Sequence, residues 1–90
     1  MLVLSRYIGE SIRINDDLLV TVAVVGRDFV ELAVSSADHS NPKIVTLGVG
    51  QKVDIAEQIN VVLVMIKDGK VRLGINAPRE TQFERSPIID

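Results

Sequence analysis

No cysteine occurs in the 90 residues. That excludes a disulfide framework and a thiolate metal site. Tryptophan is absent and aromatic residues make up only 3%, so the 47% hydrophobic content must be met by Val, Ile and Leu. Such branched side chains favour pleated strands. There is one histidine, His39, in a polar stretch, with no glycine-rich phosphate loop and no serine in a nucleophile-like setting. An enzyme is the least favoured class on that ground. Asp16, Asp17, Asp54 and Glu57 read as turn and face acids, so neither a metal nor another cofactor is expected. Long apolar runs are lacking too. The longest, Ile59 to Ile66, contains Asn60 and stops at Lys67, well short of the roughly 18 apolar residues of a membrane helix. The start lacks the basic residues and small-residue cleavage site of a secretory signal, which makes a soluble cytoplasmic protein the expectation. Positive charge is not in excess either. With a net charge of −2, any contact with nucleic acid must come from a local cluster of Arg and Lys.

What the chain does have is a copy of itself. An offset of 41 lays Gly9 on Gly50, Ile12 on Val53, Ile14 on Ile55 and Val20 on Val61. The same offset lays Val30, Leu32 and Val34 on Val71, Leu73 and Ile75. A unit this short cannot bury its own apolar face, so the two copies are expected to stack around one shared core. The expected organisation is a single domain, 1–90, with a first repeat over 1–36 and a second over 43–90.

Nearly every segment reads as strand. Leu2 to Tyr7 is a short run closed by Gly9, and Ser11 to Ile14 alternates as a half-buried strand must. Asn15-Asp16-Asp17 is a turn, Leu18 to Val25 a long strand, and Phe29 to Ser35 an alternating one. Ala37 to Pro42 is the clear loop in the middle. Lys43 to Leu47, Lys52 to Ile55 and Ile59 to Ile66 repeat the pattern. Asp68-Gly69 is a hairpin signal, because glycine readily takes the positive φ that such a turn needs. Val71, Leu73 and Ile75 form the inward face of the next strand, which Pro78 ends. Glu80 to Glu84 reads as one further short strand. The predicted fold is all-β, about nine short strands in a small barrel or sandwich with little or no helix.

Two stretches carry a family resemblance. Met1-Leu2-Val3-Leu4-Ser5-Arg6 with Gly9-Glu10-Ser11-Ile12, and Lys70-Val71-Arg72-Leu73-Gly74-Ile75-Asn76-Ala77-Pro78-Arg79-Glu80, resemble the opening and the fourth-to-fifth-strand step of the carbon storage regulator family (CsrA, also called RsmA). Arg85 and Ile88 fall where that family has an Arg and an apolar residue. The resemblance implies a homodimeric fold of five-stranded chains, with the first strand of one subunit beside the fifth strand of the other. It also implies binding of RNA hairpin loops with a GGA core, in messenger or small RNA, to alter translation or messenger stability. A flagellar-assembly protein is the implied antagonist.

The chain departs from the family in a way the repeat explains. The first copy keeps Leu4-Ser5-Arg6 and ends in Ser35-Ser36-Ala37-Asp38. The second keeps Ala77-Pro78-Arg79-Glu80 and Arg85, but carries Leu47 where Arg6 stood. Each copy retains the half-site that the other lost. The expectation is a single-chain pseudo-dimer, monomeric or strand-exchanged, with one composite RNA site, and with Lys43 to Leu47 serving as fifth strand of one copy and first strand of the other.

The candidate RNA-binding residues are Leu4, Ser5, Arg6, Tyr7, Arg72, Ala77, Pro78, Arg79, Phe83, Arg85 and Ile88. Arg6 and Arg85 suit guanine edges or phosphates, or are solvated strand charges. Leu4, Phe83 and Ile88 offer apolar contact to splayed bases, and Leu4 and Ile88 equally suit the core. Ala77-Pro78 exposes backbone groups or simply terminates a strand. Tyr7 replaces a usual basic residue; it can stack on a base but removes a charge. Glu31 stands in copy one where Arg72 stands in copy two. The competing function is a degenerate protein-binding module or antagonist that no longer binds RNA, favoured by net acidity and Tyr7 and opposed by Arg6 and Arg85.

Overall fold

Alternating Val, Ile and Leu give each of the first eight strands one apolar face, and two such sheets bury those faces against each other. The computed structural model describes residues 1–36 and 41–86, and of Arg85 and Ser86 the backbone alone. His39, Ile88 and most of the central loop lie outside the described residues. The strands are β1 (Leu2–Arg6), β2 (Ser11–Ile14), β3 (Leu18–Val25), β4 (Phe29–Ser36), β5 (Lys43–Gly48), β6 (Lys52–Ala56), β7 (Ile59–Lys67), β8 (Lys70–Asn76) and β9 (Phe83–Ser86). They form two antiparallel sheets, ordered β1-β8-β7-β6 and β5-β4-β3-β2-β9. The fold is all-β, as expected, and two open layers give it a short dimension of 20 Å.

The 41-residue offset is a geometric symmetry. In β1–β8, Leu4 lies opposite Leu73; in β5–β4 the offset mates Val45 and Leu32 are opposed in turn. Ile12 faces Val20 in β2–β3, and Val53 faces Val61 in β6–β7. Even the register shifts correspond, at Val22/Val24 and at Leu63/Met65. The first strand of each half pairs with the fourth strand of the other half, so the halves are intertwined.

Turns repeat as well. The Gly9 N–H donates to Val22 O at 2.8 Å and the Gly50 N–H to Leu63 O at 2.7 Å. Both glycines are left-handed, at φ 88° and 87°, and a Cβ on either would meet no atom within 4 Å. Backbone conformation alone therefore requires glycine there. Gly50→Ala is expected to cost about 1 kcal/mol, a loss of about 4–8 °C in Tm for a domain this small. Circular dichroism melts measure it, and an unchanged Tm refutes the reading. Asp68 and Gly69, at φ 54° and 78°, confirm the predicted hairpin.

Both sheets feed one core. Leu4, Ile59, Val61, Leu63, Val71, Leu73 and Ile75 meet Ile12, Ile14, Val20, Val22, Val30, Leu32, Val34 and Leu47, and no polar side chain is buried among the described residues.

Three expectations need correction. First, β1 does not run beside the last strand: it pairs with β8, and β9 pairs with β2. The alternation of a strand fixes its buried face and leaves its neighbour open. Second, the last strand begins at Phe83, not Glu80. Pro78 starts a turn that the Thr81 N–H closes on Pro78 O at 3.0 Å. Third, Lys43–Gly48 serves one role among the described residues, pairing with β4 as β1 pairs with β8.

Candidate nucleic-acid interface

β1 is the edge of one sheet and β9 the edge of the other. The two edges meet through β2. After Arg6 the chain turns at 7–10, where the Glu10 N–H donates to Tyr7 O at 3.0 Å and the Tyr7 N–H to Glu10 Oε1 at 2.7 Å. It then enters β2 at Ser11. β9 lies on the far side of β2, with Ser86 opposite Ser11 and Arg85 opposite Ile12.

Arg6 bridges this corner. Its Nε donates to Ser5 O at 2.8 Å and lies 3.7 Å from Glu10 Oε1, and its Nη1 donates to Ser11 O at 3.3 Å. The Arg6 side chain is 15% exposed. Its guanidinium therefore sits on the backbone of the residue paired with Ser86, one position from Arg85. β1 and β9 are not paired among the described residues; the Arg6 side chain links β1 to β2, which β9 pairs with.

β9 is held in place by several contacts. The Asn15 N–H donates to Gln82 O and the Gln82 N–H to Asn15 Oδ1, both at 2.9 Å. Arg13 Nε lies 3.6 Å from Glu84 Oε1, an exposed pair of small energetic weight.

The other candidates divide. Leu4 is 5% exposed and belongs to the core. Phe83 is half-buried against that core, opposite Ile14, so its ring anchors β9. Tyr7 is 48% exposed at the turn beside Arg6. Ser5 lies opposite Arg72, which is exposed. Ala77 and Pro78 are half-buried where the chain leaves β8 for the second sheet, and Arg79 is exposed beyond them. Ile88 lies outside the described residues.

The sequence reading missed Lys67, Lys70 and Met65. Arg6 is opposite Val71, so Lys70 and Arg72 flank it on the neighbouring strand. Ser5, Met65, Lys67, Lys70 and Arg72 line a shallow cleft of about 280 Å³. Pairing β1 with β8 rather than with β9 is the signal that would have found them, since it brings the cationic β7–β8 hairpin beside the first strand.

The fold defines a class: a two-sheet antiparallel β protein with crossed halves, in which Lys67, Lys70 and Arg72 line a cleft beside the first strand. The CsrA global regulator protein family model matches residues 1–41 and again 44–90, and the chain belongs to that family. It is similar to the translational regulator CsrA of Hydrogenovibrio crunogenus, at 39% identity over 46 residues, 51% of this chain and 66% of the relative. It is also similar to CsrA of Geotalea uraniireducens, at 38% over 45 residues, 50% of this chain and 57% of that protein. For CsrA of Desulforapulum autotrophicum the figures are 44% over 36 residues, 40% of this chain and 44% of the relative. The matched segment thus spans less than two thirds of each relative. No solved structure matches.

Proposed function

We infer that the chain is an RNA-binding post-transcriptional regulator with one composite site along the β1–β9 seam. The observation that carries this reading is the position of Arg6, whose guanidinium donates to Ser11 O, opposite the β9 residue next to Arg85. That contact supports a site shared by β1 and β9 at the Arg6–Arg85 end of the seam. The relatives named translational regulator CsrA support the functional class. Under this reading Arg85 meets the RNA from the β9 side, Arg79 from the turn that follows β8, Lys67, Lys70 and Arg72 neutralise phosphates from the β8 side, and Tyr7 stacks at the turn after β1. The ligand is a hairpin loop with a GGA core in messenger or small RNA, and a flagellar-assembly protein is the candidate antagonist.

The opposite corner lacks the same chemistry. There β5 presents Leu47, 2% exposed, at the offset mate of Arg6, and β4 presents Glu31 at the mate of Arg72. Titration with a GGA-loop hairpin is expected to saturate at one RNA per chain. Two per chain refutes the single site, and no binding at micromolar RNA leaves the protein-binding reading. That second reading has one observation in its favour: Arg6 already lies beside Glu10.

Salt dependence tests the extent of the surface. Neutralising three or four phosphates of a single strand gives a log–log slope of about −2 to −3. Anisotropy titrations across a salt series measure it; a slope near about −8 would require a far larger basic surface than this seam.

A further inference from the structure

We propose that β6 is a self-pairing edge. Two copies of the chain join antiparallel along Lys52–Asp54, centred on Val53, and fuse their four-stranded sheets into one of eight strands.

The symmetry of the two halves shows what is unusual about β6. Its mate β2 is covered by β9, while β6 ends its sheet with no strand beyond it among the described residues. Burial reflects the difference. Ile12 and Ile14 of β2 are 1% and 0% exposed, whereas their mates Val53 and Ile55 stay half-buried. At the end of β6, where the other sheet has Asn15 bonded to Gln82, a groove of about 490 Å³ is floored by Leu18, Ala56 and Ile59.

An open edge with half-covered apolar residues is a template for another strand. The chemistry of β6 selects a second copy. Backbone groups of a strand alternate between its two sides. Gln51 O accepts from the Leu63 N–H at 3.1 Å, so the groups of Gln51 and Val53 face β7 and those of Lys52 and Asp54 face outward. Lys52 and Asp54 are exposed, and share the outer face of the sheet. Pairing about Val53 sets Lys52 opposite Asp54 of the second copy twice over, with backbone bonds between them. Val53 then covers its own counterpart on the inner face. Shifting the centre to Asp54 would oppose the two Asp54 carboxylates, which charge repulsion disfavours. Self-complementarity at a two-fold axis is what an isologous interface requires. β6 is also the edge farthest from β1 in its sheet, so pairing leaves the proposed RNA seam open.

The test is sedimentation equilibrium on the full chain. A short edge buries little surface, so dimer is expected only at protein concentrations of about 100 µM or above. Lys52→Asp and Asp54→Lys each place like charges opposite one another, and each is expected to weaken dimerisation about tenfold or more. An equimolar mixture of the two variants restores opposite charges at both contacts and is expected to dimerise again. Three outcomes overturn the proposal: a wild type that stays monomeric at such concentrations, single variants that dimerise like wild type, or a mixture that does not recover. Exchange of strands through the central loop would give a dimer indifferent to these charges, and so belongs to the second outcome. None of these readouts involves RNA, so the proposal stands or falls independently of the functional reading.

Discussion

Leu73→Ala is expected to destabilise the whole molecule by about 2–5 kcal/mol and to melt both sheets together. Leu73 is fully buried and pairs across β8 with Leu4 on one side and Leu63 on the other, all three in the core. Truncation leaves a cavity whose walls belong to β1, β7 and the opposing sheet. Close-packed neighbours held in two ladders have little room to collapse into it. Total stability for a domain of this kind is about 5–15 kcal/mol, so the loss takes up a large share of it. Leu32, the offset mate, is equally buried, with Val22 and Val45 beside it. Leu32→Ala should therefore give a loss of the same size. Urea unfolding followed by far-ultraviolet circular dichroism measures both. The shared core predicts a single transition with a lowered midpoint and an unchanged slope. Two separated transitions, or a loss below about 1 kcal/mol from either variant, would contradict one core built from two interlocked halves.

The same interlocking explains what could be read from the residues alone. Period-two alternation in Phe29–Ser36 and Val71–Ile75 marks a buried face without reference to any partner, so strand positions and core membership were visible. The offset of Gly9 and Gly50 was visible for the same reason: a positive φ beside a strand is a local demand. Which strand lies next to which is decided by contacts far apart in sequence. β1 is apolar enough to sit beside β8 or β9, and nothing within Leu2–Arg6 distinguishes them. Leu4 shows a further limit: β1 is an edge strand, yet Leu4 lies on its inward face and belongs to the core. Phe83 is half-buried because its alternation with Glu84 turns the ring toward the core opposite Ile14. Lys67 and Lys70 were overlooked because they flank a tight turn, where lysine usually means solvation.

The largest functional effect is expected from Arg85→Ala. Loss of a base contact or a tightly held phosphate costs about 1–3 kcal/mol, an increase of about 5- to 150-fold in Kd for a GGA-loop hairpin. Arg6 is a mixed probe. The Arg6 side chain holds the β1–β2 corner through Ser5 O, Ser11 O and Glu10, so Arg6→Ala removes a fold contact along with any RNA contact. Arg6→Lys keeps the charge and loses the planar fork, and separates the two contributions. The informative control lies at the other corner. Lys43 is exposed on β5, the mate of β1, and Lys43→Ala removes one positive charge there. If RNA binds the β1–β9 seam, Lys43→Ala changes Kd by less than about twofold at 0.15 M salt, because a charge beyond a Debye length is screened. Arg72→Ala falls between the two, weakening all sequences alike and lowering the salt slope by about 1. Equal losses from Arg85→Ala and Lys43→Ala would mean that RNA follows overall charge and not the seam. No loss from Arg85→Ala, with wild type still binding, would move the site off β9 altogether.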